Sequence, residues 1–269
     1  MIDLDWLDEQ LEQALSDEVR AHRRSRPSPH PVGPPVARTA APPSERHDEP
    51  APRRRAPQLD LAGHGARIEE LVALGRLHEA DLHIAAHAFI AGEWGSAADR
   101  RDAAGWATMR AILDGRPVDA RAGADQVLAL GREAGDPAAW TRYLTLHYRL
   151  ILEWGSGDDR YELLDECRAQ AYWHDDVAWR GALTLLLARL GRDDEAAREL
   201  DVTLERLRTA NVATAVRLDV TTDLAEAAAV LGDAARASVV ARTSGWPATA
   251  VVVVGRAEVC KGSVARYRA

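Results

Sequence analysis

Residues 181–200 read GALTLLLARLGRDDEAAREL, and the fold follows from that stretch. Leu183, Leu186 and Leu190 recur at helical spacing, Gly191 interrupts, and Ala197, Leu200, Leu204 and Leu207 resume the same period. Asp193, just past the interruption, is placed to cap the second segment. The pattern predicts a helical hairpin with one apolar seam on each arm. Neither arm can hide its seam alone, so the hairpin needs neighbours of its own kind.

The chain supplies them. LGRLHEA (74–80), DGRPVDA (114–120), WGSGDDRYE (154–162), LGRDDEA (190–196) and LGDAARA (231–237) mark five turns. Their glycines, Gly75, Gly115, Gly155, Gly191 and Gly232, are spaced by 40, 40, 36 and 41 residues, the length of two helices with a turn and a connector. Glycine ends each first arm in a left-handed conformation, and small alanines at the start of the second arm let the two approach. Asp136 with Pro137, and Asp175 or Asp176, are start signals for further arms. These signals predict an all-α array of about five hairpins over residues 62–268. Two pieces near the end read differently: AVVVVG (250–255) is β-branched and extended, and RAEVCKGSVARYRA (256–269) is one more first arm with no second arm to cover it.

Three segments result. Residues 1–24 place Leu4, Leu7, Leu11, Leu15 and Val19 on one helical face, with the basic run RAHRRSR at 20–26, and predict an amphipathic helix. Residues 25–60 hold ten of the thirteen prolines and almost no large apolar side chain, the composition of a disordered linker. Residues 61–269 are the repeat domain. A net charge of −8 and a pI near 5.6 argue against a nucleic-acid surface as its main business. The acidic amino terminus is not a secretory signal, no apolar run is long enough to span a bilayer, and Cys167 and Cys260 lie far apart, so a reduced, cytoplasmic setting is expected. Lys261 is the chain's one lysine, which reads as GC-rich codon usage.

The LG-x-x-x-E-A turns resemble tetratricopeptide repeats. LALGREAGDPAAW (128–140), LTLLLARLGRDDEAARELD (183–201) and VVVVGRAEVCKGSVARY (251–267) are similar to the helical carboxy-terminal regions of large signalling ATPases and transcription regulators of high-GC bacteria. The resemblance covers roughly 60% of the chain and implies a right-handed α-solenoid that serves protein binding or autoregulation. In those larger proteins the array follows an ATPase, cyclase or DNA-binding module and continues past the GSVARY-like segment, so this chain reads as a truncated or stand-alone version. It has no GxxxxGK[ST] loop for nucleotide phosphates.

Chemistry is sought at few places. His83 and His87 lie four apart beside His78 and Glu79, but two helical histidines without a converging third ligand read as a solvated face. Cys167 sits beside Asp165 and Glu166, which hold a thiol protonated, and Ser156 lacks a strand ahead of it and reads as a loop serine. No catalytic, cofactor or metal residue is assigned. The chain has eight tryptophans and one phenylalanine, and first arms line the concave face of such arrays. Trp106, Trp140, Tyr143, His147, Trp173, Trp179 and Arg180 are therefore the expected protein-binding residues, weighed against rings that merely fill gaps between alanine-rich arms.

The expected function is a non-catalytic scaffold or regulatory module holding a peptide or partner subunit, without cofactor or membrane. A second copy could join through the uncovered last helix. The alternative is the sensor of a transcription regulator touching DNA through residues 20–26 and 53–55.

Overall fold

The computed structural model describes residues 55–245 and 250–267, and the chain divides into two units, Met1–Ala56 and Pro57–Ala269. The expected amino-terminal helix, nearly all of the linker and the run at 20–26 lie outside the described residues. The second unit is an array of helices: α1 (Arg55–Ala73), α2 (Leu77–Trp94), α3 (Ala97–Leu113), α4 (Pro117–Glu133), α5 (Ala139–Trp154), α6 (Gly157–Trp173), α7 (Val177–Arg189), α8 (Asp193–Thr209), α9 (Thr214–Val230) and α10 (Ala234–Ser244). From α2 onward each helix packs on the next, most closely α3 on α4 and α7 on α8, and α9 packs on α7 as well as on α10.

Four of the five expected turn glycines end a first arm in the left-handed region, with φ of 72° at Gly75, 70° at Gly115 and Gly191, and 66° at Gly232. At Gly191 the amide donates to Ala188 O (3.0 Å) and the Arg192 amide to Leu187 O (3.0 Å), closing the last carbonyls of α7. The same pair of bonds recurs at Gly75, Gly115 and Gly232, and also between α4 and α5 at Gly135.

Gly155 works otherwise. It is extended, and Ser156 beyond it caps α6 in a reciprocal box with Asp159. The same arrangement stands 60 residues earlier in the chain: EWGSAADR (93–100) repeats in EWGSGDDR (153–160), and Ser96 boxes with Asp99. Asp176 caps α7 through the Ala178 amide (2.8 Å). Asp193 is not a cap; it lies in the first turn of α8 behind Arg192.

The arm expected to carry a seam is buried all round. Residues 179–188 of α7 are enclosed by α6, α8 and α9, so Leu183, Leu185, Leu186 and Leu187 serve several neighbours at once. This helix centres the largest apolar cluster, to which α5, α6, α8, α9 and α10 contribute.

The last helical arm is not there. Four consecutive valines stiffen β1 (Val251–Val254), Gly255 (φ 61°) and Ala257 (φ 60°) turn the chain, and β2 (Val259–Ser263) returns antiparallel before a short 3-10 turn, Val264–Tyr267. With that helix goes the expected route to a dimer through it.

The strand pair lies along the first arms. Ala257 and Cys260 join the cluster of α1, α2 and α3; Val259 joins that of α3, α4 and α5; Val252 and Val264 join the largest cluster. One short hairpin thus ties the whole array together along the face on which a ligand was expected.

Candidate functional site

Trp106 and Trp179, two of the expected binding residues, sit beneath this hairpin. The Trp106 indole is fully buried, donates from Nε1 to Arg256 O (2.7 Å) and meets His87 edge-on at 4.8 Å. Arg256 in turn pairs with Glu69 of α1 (2.7 Å) and Asp102 of α3 (3.1 Å), and Arg142 of α5 pairs with Glu258. Trp179 packs edge-on against Tyr148 beside a cavity of about 60 Å³ that also borders Lys261, Asp219 and Asp223. That volume is far below the several hundred Å³ of ordinary ligand pockets. Among the described residues, the cavities beside Trp179 and Trp106, about 60 and 10 Å³, are too small to serve as a ligand groove.

Lys261 is the polar centre of this contact. Register across the strands runs Val253 to Cys260 and Val252 to Gly262, so Lys261 is the extra residue of a β-bulge. The bulge turns its side chain to α9, where Nζ donates to Asp223 Oδ1 (2.6 Å) and lies 2.6 Å from Asp219 Oδ1, off the line of a hydrogen bond. Burial works to lower this ammonium, yet the two carboxylates outweigh it and hold it protonated, above its ordinary range. Burial also pushes the Asp223 carboxyl up to about 6, against the pull of Lys261 and with Asp219 adding to the rise. In the sequence this lone lysine reads as codon usage, and its one signal is that it is the chain's single ammonium side chain beside 33 arginines.

Trp140, Tyr143 and His147 face elsewhere. They follow one another along α5, Trp140 to Tyr143 at 5.3 Å and Tyr143 to His147 stacked at 5.3 Å and 13°. They open onto a groove of about 190 Å³ floored by Leu144, Ile151 and Leu163, with Arg121 of α4 on one side and Asp159, Glu162 and Glu166 of α6 on the other. Trp140 remains 41% exposed. Burial, with Arg121 adding, keeps the His147 imidazole below its ordinary range and so uncharged at neutral pH; burial raises the Tyr143 hydroxyl.

The last two expected residues are apart from both places. Arg180 is buried in an ion pair with Glu199 (2.7 Å) and stacks over Tyr172, whose hydroxyl donates to the same carboxylate (3.0 Å). This network joins α6, α7 and α8. Trp173, at the end of the second arm α6, stands 85% exposed.

A wider hollow of about 470 Å³ between α2, α3 and α4 is lined by charges that already pair, Arg110 with Asp81 (2.6 Å) and Arg116 with Asp119 (2.6 Å), above a floor of alanines. His83 meets His64 Nδ1 to Nδ1 at 2.8 Å while His87 turns to Trp106, so the histidine pair of α2 diverges. Among the described residues no three histidine, cysteine or carboxylate groups gather to hold a metal. Cys167 is fully buried, and burial foremost, then Asp223 and Glu166, raises its thiol far above the ordinary range, which removes it as a nucleophile near neutral pH.

No family model, curated protein or solved structure matches the chain. Among the described residues no helix is long and apolar enough to cross a membrane.

Proposed function

We propose that the chain is a non-catalytic interaction module, a scaffold or regulatory part of a larger assembly in the cytoplasm, which holds a peptide segment of a partner protein in the groove between α4, α5 and α6. The observation that carries the reading is the row of three rings, Trp140, Tyr143 and His147, aligned on an open groove instead of being absorbed in the core. Rigid aromatic side chains on a helix give large contact area at little entropic cost, the usual make-up of a binding hot spot. The first-arm face, where tetratricopeptide-like arrays would hold a ligand, is filled by the chain's own strand pair, so the binding surface moves to the neighbouring groove. Two free buried cysteines fit a reducing compartment.

The test is a peptide-display selection on the full chain, followed by calorimetry on the selected peptides with the wild type and with Trp140→Ala combined with Tyr143→Ala. Loss of binding in an otherwise folded variant supports the groove. Peptides that bind both proteins alike would remove it.

A further inference from the structure

The groove has a charge as well as an apolar floor, and the charge is specific. Asp159 is committed to capping Ser156. Glu162 and Glu166, one turn apart on the same helix, are exposed and have no ion-pair partner among the described residues. Facing them across Leu144 and Leu163 is the stack of Tyr143 on His147, whose imidazole is uncharged near pH 7 and adds no positive charge. Among the described residues Arg121 is the one cation lining the groove, against three carboxylates, so this lining carries a net negative charge beside aromatic faces.

We infer that the groove is built to hold arginine side chains of an extended peptide. This rests on the reading of the groove as a peptide site and adds the chemistry of its ligand. A guanidinium lies flat on an aromatic face and at the same time offers a fork of donors to a carboxylate, which an ammonium cannot do with the same geometry. Spacing agrees: carboxylates one helical turn apart stand about 6 Å from each other, and alternate residues of an extended strand repeat every ~6.6 Å on one side. Arginines at positions i and i+2 would therefore meet Glu166 and Glu162 in turn while the strand runs along the row of rings. A partner rich in acidic residues is repelled by the same lining.

The experiment titrates the full chain with acetyl-Ala-Arg-Ala-Arg-Ala-amide and with its citrulline counterpart, which keeps the planar shape but loses the charge and replaces one terminal amino donor by an acceptor oxygen. Binding is followed by calorimetry and by the indole and imidazole signals in NMR. The arginine peptide is expected to bind at least about ten-fold more tightly, the difference shrinking with added salt. Glu162→Gln with Glu166→Gln, both at exposed positions, should erase the difference with an unchanged melting temperature, while Trp140→Ala weakens both peptides. Equal binding of the two peptides overturns the charge assignment and leaves the peptide groove standing. Absence of any shift at Trp140 or His147 with either peptide overturns the groove itself. Self-association that disappears in Trp140→Ala, without peptide binding, would give the groove to a second copy and overturn both.

Discussion

Lys261 Nζ lies 2.6 Å from Asp223 Oδ1, both side chains almost fully buried, and this bond joins the returning strand to the helix at the far end of the array. A buried cation shared by two carboxylates is costly to form and more costly to break, because removing it leaves two like charges facing each other out of water. Lys261→Met should therefore destabilise the chain by about 3–5 kcal/mol at neutral pH, read by urea unfolding. Asp223→Asn should cost little, since Asp219 keeps the ammonium paired. Lys261→Arg should also destabilise, because the planar fork does not fit a slot shaped for a point charge. Equal effects of Lys261→Met and Asp223→Asn would show that the trio is not a linked unit.

The same trio sets a pH dependence. Asp223 holds its proton up to about 6 in the folded chain, whereas an unfolded aspartate loses it near 3.9. Between those values the folded state binds more protons than the unfolded one, so this group makes the protein less stable as pH rises from 4 to 6, and it has no further effect above that window. Asp136, Asp159, Glu195 and Asp233 are held below the ordinary carboxylate range and act with opposite sign at lower pH. The measurement is accordingly a difference: wild-type stability minus that of Asp223→Asn should fall by on the order of 2 kcal/mol across the window. A flat difference would contradict the raised carboxyl.

Two kinds of glycine turn predict two kinds of mutant. Gly191 has φ of 70° and open space where a Cβ would go, so only its backbone conformation demands glycine. Gly191→Ala should cost about 1–2 kcal/mol, and Gly191→Asn less, because asparagine tolerates the left-handed region. Gly155 has ordinary dihedrals, but a Cβ there would stand 2.6 Å from Ile151 O. Alanine and asparagine should be equally harmful at 155. Thermal melts of the four variants check the contrast.

The helical part of this fold was legible because its signals are local. Left-handed glycines, small residues after them and the leucine period each act within one hairpin, and the turns at Gly75, Gly115, Gly191 and Gly232 formed as their residues dictate. The last segment was not legible, because Arg256 and Lys261 owe their conformation to partners 38 to 187 residues away, namely Asp223, Trp106 and Glu69. A helical period in RAEVCKGSVARY yields to four valines that pair with it and to buried sockets that no window of sequence displays. The same holds for the expected site residues. Trp106, Trp179 and Arg180 are aromatic or basic like Trp140 and Tyr143, and only long-range packing separates the rings that are enclosed from those that line a groove.

The Trp106 to Arg256 bond supplies a direct measure of how firmly the strand pair is held. Trp106→Phe removes part of a fully buried ring and leaves the part-buried Arg256 carbonyl without its donor, a loss of about 1–3 kcal/mol. If the hairpin is an integral element of the array, that loss appears in global unfolding, and amides of residues 251–254 and 259–263 exchange no faster relative to those of α7 than they do in the wild type. If instead the hairpin opens by itself, its amides exchange selectively while Leu183 and Leu186 in α7 keep their protection. The three separate clusters to which Ala257, Val259 and Val252 belong predict the first outcome, since lifting the strands would expose apolar surface along every first arm that they touch. Hydrogen exchange followed by mass spectrometry on wild type and variant distinguishes the two.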